Sequence, residues 1–139
     1  MYRKTLSSMV MRDGELVPVE REHIFQLVAA DIPAVEEYLK VYGGLNGFQK
    51  YVTDDSVDPI ERAGVVEKFV SMLASMAYCS LNDENELYKD PEGGKRFLTS
   101  FAYNNLITEF FTDENAFTDF VTAIMPDVSQ FDTGGLSEL

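Results

Sequence analysis

Apolar and polar positions alternate with a period of two only near the start of the chain. In "SSMVMRDGELVPVE", Ser7 to Glu20, Val10 and Met11 precede Asp13-Gly14, and Leu16, Val17 and Val19 follow it. An Asp-Gly pair tolerates the positive φ angles of a tight primed turn, so the segment reads as a short β-hairpin over about residues 8–19. Pro18 donates no ladder hydrogen bond, which makes its arm an edge or ends it, and a lone two-stranded hairpin is marginal in water. The hairpin is therefore expected to pack across a larger core with Val10, Leu16 and Val19 inward. Its open edge, or the adjoining helix, is then left to a partner or a second copy.

Beyond the hairpin the period becomes helical. Ile24, Leu27 and Val28 fall on one stripe, with His23 on its polar side, and Val35, Tyr38, Leu39 and Tyr42 fall on another. Two short helices fit this better than one, because Pro33 disfavours helical geometry at Ile32, Asp31 can cap a new helix, and Gly43-Gly44 can end it. "LNGFQKYV" forms one amphipathic turn before the polar loop "TDDSVD". The clearest helix follows, with Asp58 as cap, Pro59 first, Glu61 third, and an apolar series from Val65 through Phe69, Val70 and Leu73 to Ala77. About twenty residues of helix span roughly 30 Å. Apolar over most of its circumference, it should be the central element.

"SLNDENELYKDPEGGKRF" reads as a surface loop, dense in turn formers and acids. It fails as a calcium loop, because Leu87, Tyr88 and Gly94 stand where an oxygen ligand, the glycine and the bidentate glutamate belong. "GGK" lacks the upstream glycine and the following Ser or Thr of a phosphate-binding loop. The aromatic block "RFLTSFAYNNLITEFFTDENAFTDFVTAI" then follows helical spacing twice, with Thr112 or Asp113 available as the second cap. Most of its rings should fill the core. Any apolar remainder among Phe110, Phe111, Phe117 and Phe120, framed by Asp113, Glu114 and Asp119, is the candidate partner-binding surface.

The pattern thus predicts a mainly α protein: one compact domain over residues 1–125 with five to six helices and a short N-terminal hairpin, then a flexible acidic tail over residues 126–139. At 139 residues the chain is long enough for one real core. No apolar run is long enough to span a membrane and no secretory leader is visible, so the cytoplasm is the expected compartment.

Charge and candidate chemistry narrow the function. With 24 acids against 11 bases, the net charge of −13 repels nucleic acid. No Lys or Arg follows Arg96. Cys79 is the only cysteine, which excludes an internal disulfide and four-cysteine metal sites. His23 is the only histidine and has no second one four residues away. With no nucleophile and base to single out, the chain is expected to be non-catalytic, without cofactor or metal.

Three stretches together resemble the tail assembly chaperones of long-tailed bacteriophages over about Met9 to Ile124. These are "MVMRDGELVPV" with its Gly turn, "AYCSLNDENELYKD" as an apolar helix end with an acidic loop, and "FLTSFAYNNLITEFFTDENAFTDFVTAI" as the final helices. In the acidic loop Asn85 stands where the family often has glycine, and "PEGGK" lengthens it. The resemblance implies a non-catalytic protein that binds the tail tube or tape measure protein during assembly and keeps it soluble in the host cytoplasm. It also implies absence from the finished particle and, in many members, a longer frameshifted product. A self-associating form is compatible with it. The rival reading is an acidic DNA-mimic inhibitor of a nucleic-acid-binding protein, whose binding would weaken steeply with salt while an apolar chaperone contact would not.

Overall fold

The two-residue turn at Asp13 and Gly14, with φ of 52° and 79°, has both central residues left-handed, as a primed hairpin requires. A computed structural model describes residues 1–126, and the hairpin it shows is about twice the expected length. Strand β1 (Tyr2–Arg12) pairs one-to-one with β2 (Glu15–Phe25), from Tyr2 opposite Phe25 to Arg12 opposite Glu15. Two further strands extend the sheet. β3 (Tyr78–Leu81) pairs antiparallel with β2 at Ile24 and Phe25, and β4 (Leu87–Lys89) pairs with β3, giving the order β1-β2-β3-β4.

The helices among the described residues are α1 (Ile32–Leu39), α2 (Leu45–Val52), α3 (Pro59–Ala77), α4 (Pro91–Leu98), α5 (Phe101–Thr112) and α6 (Glu114–Ile124). Several start where the sequence places a cap. Asp58 accepts from the Ile60 backbone N–H, and Asp113 accepts from that of Asn115. Asp31 precedes α1 but makes no capping bond to it; its carboxylate accepts from Val28 N and from Lys89 Nζ at 2.7 Å. Ile32 is itself helical, because Pro33 sits within the first turn, where its missing N–H costs nothing.

The mainly α fold class is therefore corrected to mixed α/β: six helices with a four-stranded antiparallel sheet. Three misreadings account for it. The stripe of Ile24, Leu27 and Val28 is not a helix, since β2 runs to Phe25 and the chain then turns, with Gln26 N donating to Ala77 O and Leu27 N to Ile124 O, both at 2.8 Å. Of that stripe only Leu27 is buried, Val28 being 40% exposed, while Phe25, which lies off the stripe, enters the core from the strand. Tyr78 takes extended geometry instead of continuing α3, and the expected surface loop holds the end of β3, all of β4 and nearly all of α4. Asn85, at φ 61°, supplies the left-handed turn between β3 and β4.

One core joins these parts. Leu6 and Phe25 of the sheet meet Val35, Phe48, Phe69, Leu73, Phe97, Leu106 and Phe120, drawn from all six helices. Aromatic edges lock it: Phe48 lies 4.5 Å from Phe69, and Tyr2 meets Phe120 edge-on at 5.0 Å between ring centroids. α3 is central, with Phe69, Val70, Leu73, Ala74 and Ala77 buried. The inward placement of Val10, Leu16 and Val19 is not what the fold adopts, because Leu16 is exposed and none of the three packs against the core. The tail expected at the C-terminus falls, from residue 127 onward, outside the described residues.

Candidate docking groove

α2 is tied to the start of α3 by side chains that the intervening loop orders. Tyr51 donates to Glu61 Oε1 at 2.9 Å, and Arg62 donates through Nε to Val57 O at 3.2 Å and through Nη1 to Val52 O at 3.4 Å. Within the loop, Asp54 accepts from the Ser56 hydroxyl and backbone N–H, and these bonds hold its carboxyl below the usual range. Opposite, the α5–α6 corner turns at Asp113, whose N–H donates to Glu109 O while its carboxylate caps α6.

Between these two braced corners runs a groove of about 740 Å³. Its apolar lining comes from Val52, Pro59, Ala63, Val66, Phe110, Phe111 and Phe117, and its charged lining from Lys50, Arg62 and Glu114. Two cations against one acid stand out in a chain of net charge −13.

The seven residues singled out from the sequence separate here. Phe110, Phe111, Phe117 and Glu114 line the groove. Phe110 and Phe117 do so as the exposed skin of core side chains, being 4% and 7% exposed, whereas Phe111 is 48% exposed. Phe120 is fully buried against Phe25, Phe110 and Tyr2. Asp113 is occupied as a cap. Asp119 acts on Tyr2 on another side of α6, where burial first, then Glu109 and Asp119, push the Tyr2 phenol up to about 12. Lys50, Arg62 and Val66 were missed, because they lie far back in sequence and only packing of α2 and α3 against the α5–α6 corner brings them here.

The groups that could do chemistry lie elsewhere. His23 is on β2, its Nδ1 2.8 Å from the Tyr78 hydroxyl and its ring 4.9 Å from that of Phe97, and burial and then Arg21 push its pKa down. Cys79 is buried, and burial raises its thiol pKa. Among the described residues no group of three or more His, Cys, Asp or Glu is placed to hold a metal, and no helix is long and apolar enough to cross a membrane.

The described residues form a mixed α/β domain with an apolar groove between α2, α3 and the α5–α6 corner. The chain matches, over residues 1–131, the family model described as phage tail assembly chaperone, and it belongs to that family. Neither a search of the curated proteins nor one of the solved structures finds a match.

Proposed function

We propose that the protein acts without catalysis in the host cytoplasm, holding the tail tube or tape measure protein through the groove between α2, α3 and the α5–α6 corner until that protein is assembled. The observation that carries this reading is Phe111: a large ring half-exposed at an apolar groove, in a member of a tail assembly chaperone family. Exposed aromatics beside a concave apolar surface supply most of the energy of protein contacts, because their burial removes large area from water at little entropic cost. Lys50 and Arg62 add a place for an acidic group on the client, while the surrounding acid excess discourages nucleic acid and self-aggregation.

Co-expression with the tube and tape measure proteins tests it. The wild-type chain should retain one of them on purification, and Phe111→Ser should lose it with unchanged melting. Undiminished retention of the same protein by the variant, or of neither protein by the wild type, would refute the groove reading. Retention should also survive raised salt; a steep decline, in the presence of a nucleic-acid-binding protein as the retained partner, would favour a DNA-mimic function instead.

A further inference from the structure

The walls of the groove limit what can lie in it. Its lining residues belong to α2, to Thr53 just after it, and to α3, α5 and α6, and none belongs to a strand. The groove therefore has no sheet edge to which an extended segment could add. Along the flanks of a helix the backbone N–H and C=O groups are already bonded to one another.

The end of α2 is closed as well. The last four carbonyls of a helix have no partner within it. In α2, Gln49 O accepts from Thr53 N at 3.2 Å, Lys50 O from Thr53 Oγ1 at 3.4 Å, Tyr51 O from Asp54 N at 3.3 Å and Val52 O from Arg62 Nη1 at 3.4 Å. An extended segment would carry one N–H and one C=O per residue into this apolar trough and find no ladder for them. Each such group taken from water without a partner costs free energy. A helix bonds these groups within itself and presents only side chains.

Side-chain chemistry narrows the occupant further. Phe111, 48% exposed, belongs to one wall, and Val52, Ala63 and Val66 belong to the other. A helix lying between them needs apolar residues recurring every three or four positions. Of the two cations in the lining, Arg62 spends Nε and Nη1 on the carbonyls of Val57 and Val52. Lys50 makes no ion pair among the described residues. It stands on α2, while the acid of the lining, Glu114, starts α6 on the opposite wall. A carboxylate on the occupant is thus attracted to the α2 side and repelled from the α6 side.

We propose that the segment held in the groove is an amphipathic α-helix, its apolar stripe between the two walls and a carboxylate on its α2 side against Lys50. This rests on the reading of the groove as the client site, and adds to it the form and charge of the client segment.

Two synthetic peptides of about 18 residues, some five turns of helix, test the proposal against the full chain. Both are made of the same Leu, Ala, Gln and Glu residues. One repeats Leu at helical spacing with Glu beside the stripe, and the other alternates Leu with polar residues. By calorimetry the first should bind at least about tenfold more tightly, and its carbon-13 shifts, read on labelled peptide, should become helical on binding. Phe111→Ser should weaken that binding by at least about tenfold. Lys50→Glu should weaken it too, and should favour a copy of the peptide with Lys in place of Glu. Equal or tighter binding of the alternating peptide, bound shifts that stay extended, or no binding of either up to about 1 mM overturns the proposal. So does binding indifferent to Phe111→Ser or to Lys50→Glu. The peptides need no tail protein, so the two readings fail separately. Client retention that depends on Phe111, beside peptides bound without helical preference, removes only the helix. A helix bound through Phe111, beside client retention that ignores Phe111→Ser, removes only the client.

Discussion

Phe111 and Phe120 lie on adjoining helices with the same side chain and opposite surroundings. Phe120 is fully enclosed, so Phe120→Ala should cost about 3–5 kcal/mol in chemical denaturation, the loss of ring contacts plus the cavity left behind. Phe111→Ser should change stability by no more than about 0.5 kcal/mol, because the ring is already half in water. Helical spacing puts Phe120 on a stripe with Phe117, Val121 and Ile124 and leaves Phe111 off the stripe that ends at Phe110, although both rings were candidates for the partner surface. His23 offers a second residue-scale test. Its folded pKa lies below the ordinary 6.5, so the neutral ring is favoured by folding, and its stabilisation is present above 6.5 and lost as pH falls through the lower folded value. With the ring neutral, in its Nε2–H tautomer, the Tyr78 hydroxyl donates to Nδ1, a bond that protonation removes. Acidification also relieves repulsion within a chain of net charge −13, so the comparison must be between wild type and His23→Gln. The wild type should lose melting temperature relative to the variant between pH 7 and pH 5, and parallel curves would exclude the effect.

At the scale of elements, α4 shows what a turn-rich sequence conceals. Asp90 accepts from Ser80 Oγ at 2.7 Å and from Gly93 N at 2.8 Å while its own N–H donates to Tyr78 O, so one residue joins β3 to the start of α4. Asp90→Ala should cost about 1 kcal/mol at neutral pH. The Ser80 bond first, then the Gly93 N–H, hold this carboxyl below its ordinary 3.8. That contribution is therefore complete above 3.8 and fades as pH falls through the lowered value, which an acid denaturation curve of the two proteins would display. Gly94 explains why "PEGGK" is no mere insertion: a Cβ there would stand 2.7 Å from Ser75 O and 3.2 Å from the Tyr78 Cβ. Gly94→Ala should push α4 off α3 and cost about 1–3 kcal/mol in thermal melting. The capped helices α3 and α6 were legible because each carries its own start signal. β3 was not, because Tyr78–Leu81 continues an apolar helical run and turns to strand only where Ile24 and Phe25 offer ladder partners from far away in sequence.

At the scale of the whole molecule, the groove sets two cations into a chain of net charge −13. The groove is built from four helices and carries Lys50 and Arg62, so Lys50→Glu should weaken client retention in a pull-down while leaving the melting temperature unchanged. Of the candidate site, the sequence pointed to the α5–α6 corner but not to its opposite wall, since no spacing rule relates Lys50 and Arg62 to Phe111.

By itself the sequence determined what is local. The Asp-Gly turn, the caps at Asp58 and Asp113, the apolar length of α3, the acidic balance and the pattern shared with tail assembly chaperones all follow from neighbours along the chain. Tertiary structure decided everything that depends on which surfaces meet: that residues 20–25 and 78–81 are strands, and that a groove exists at all. The physical reason is that a strand needs a partner and a groove needs two walls, and in this chain both are supplied by residues tens of positions away.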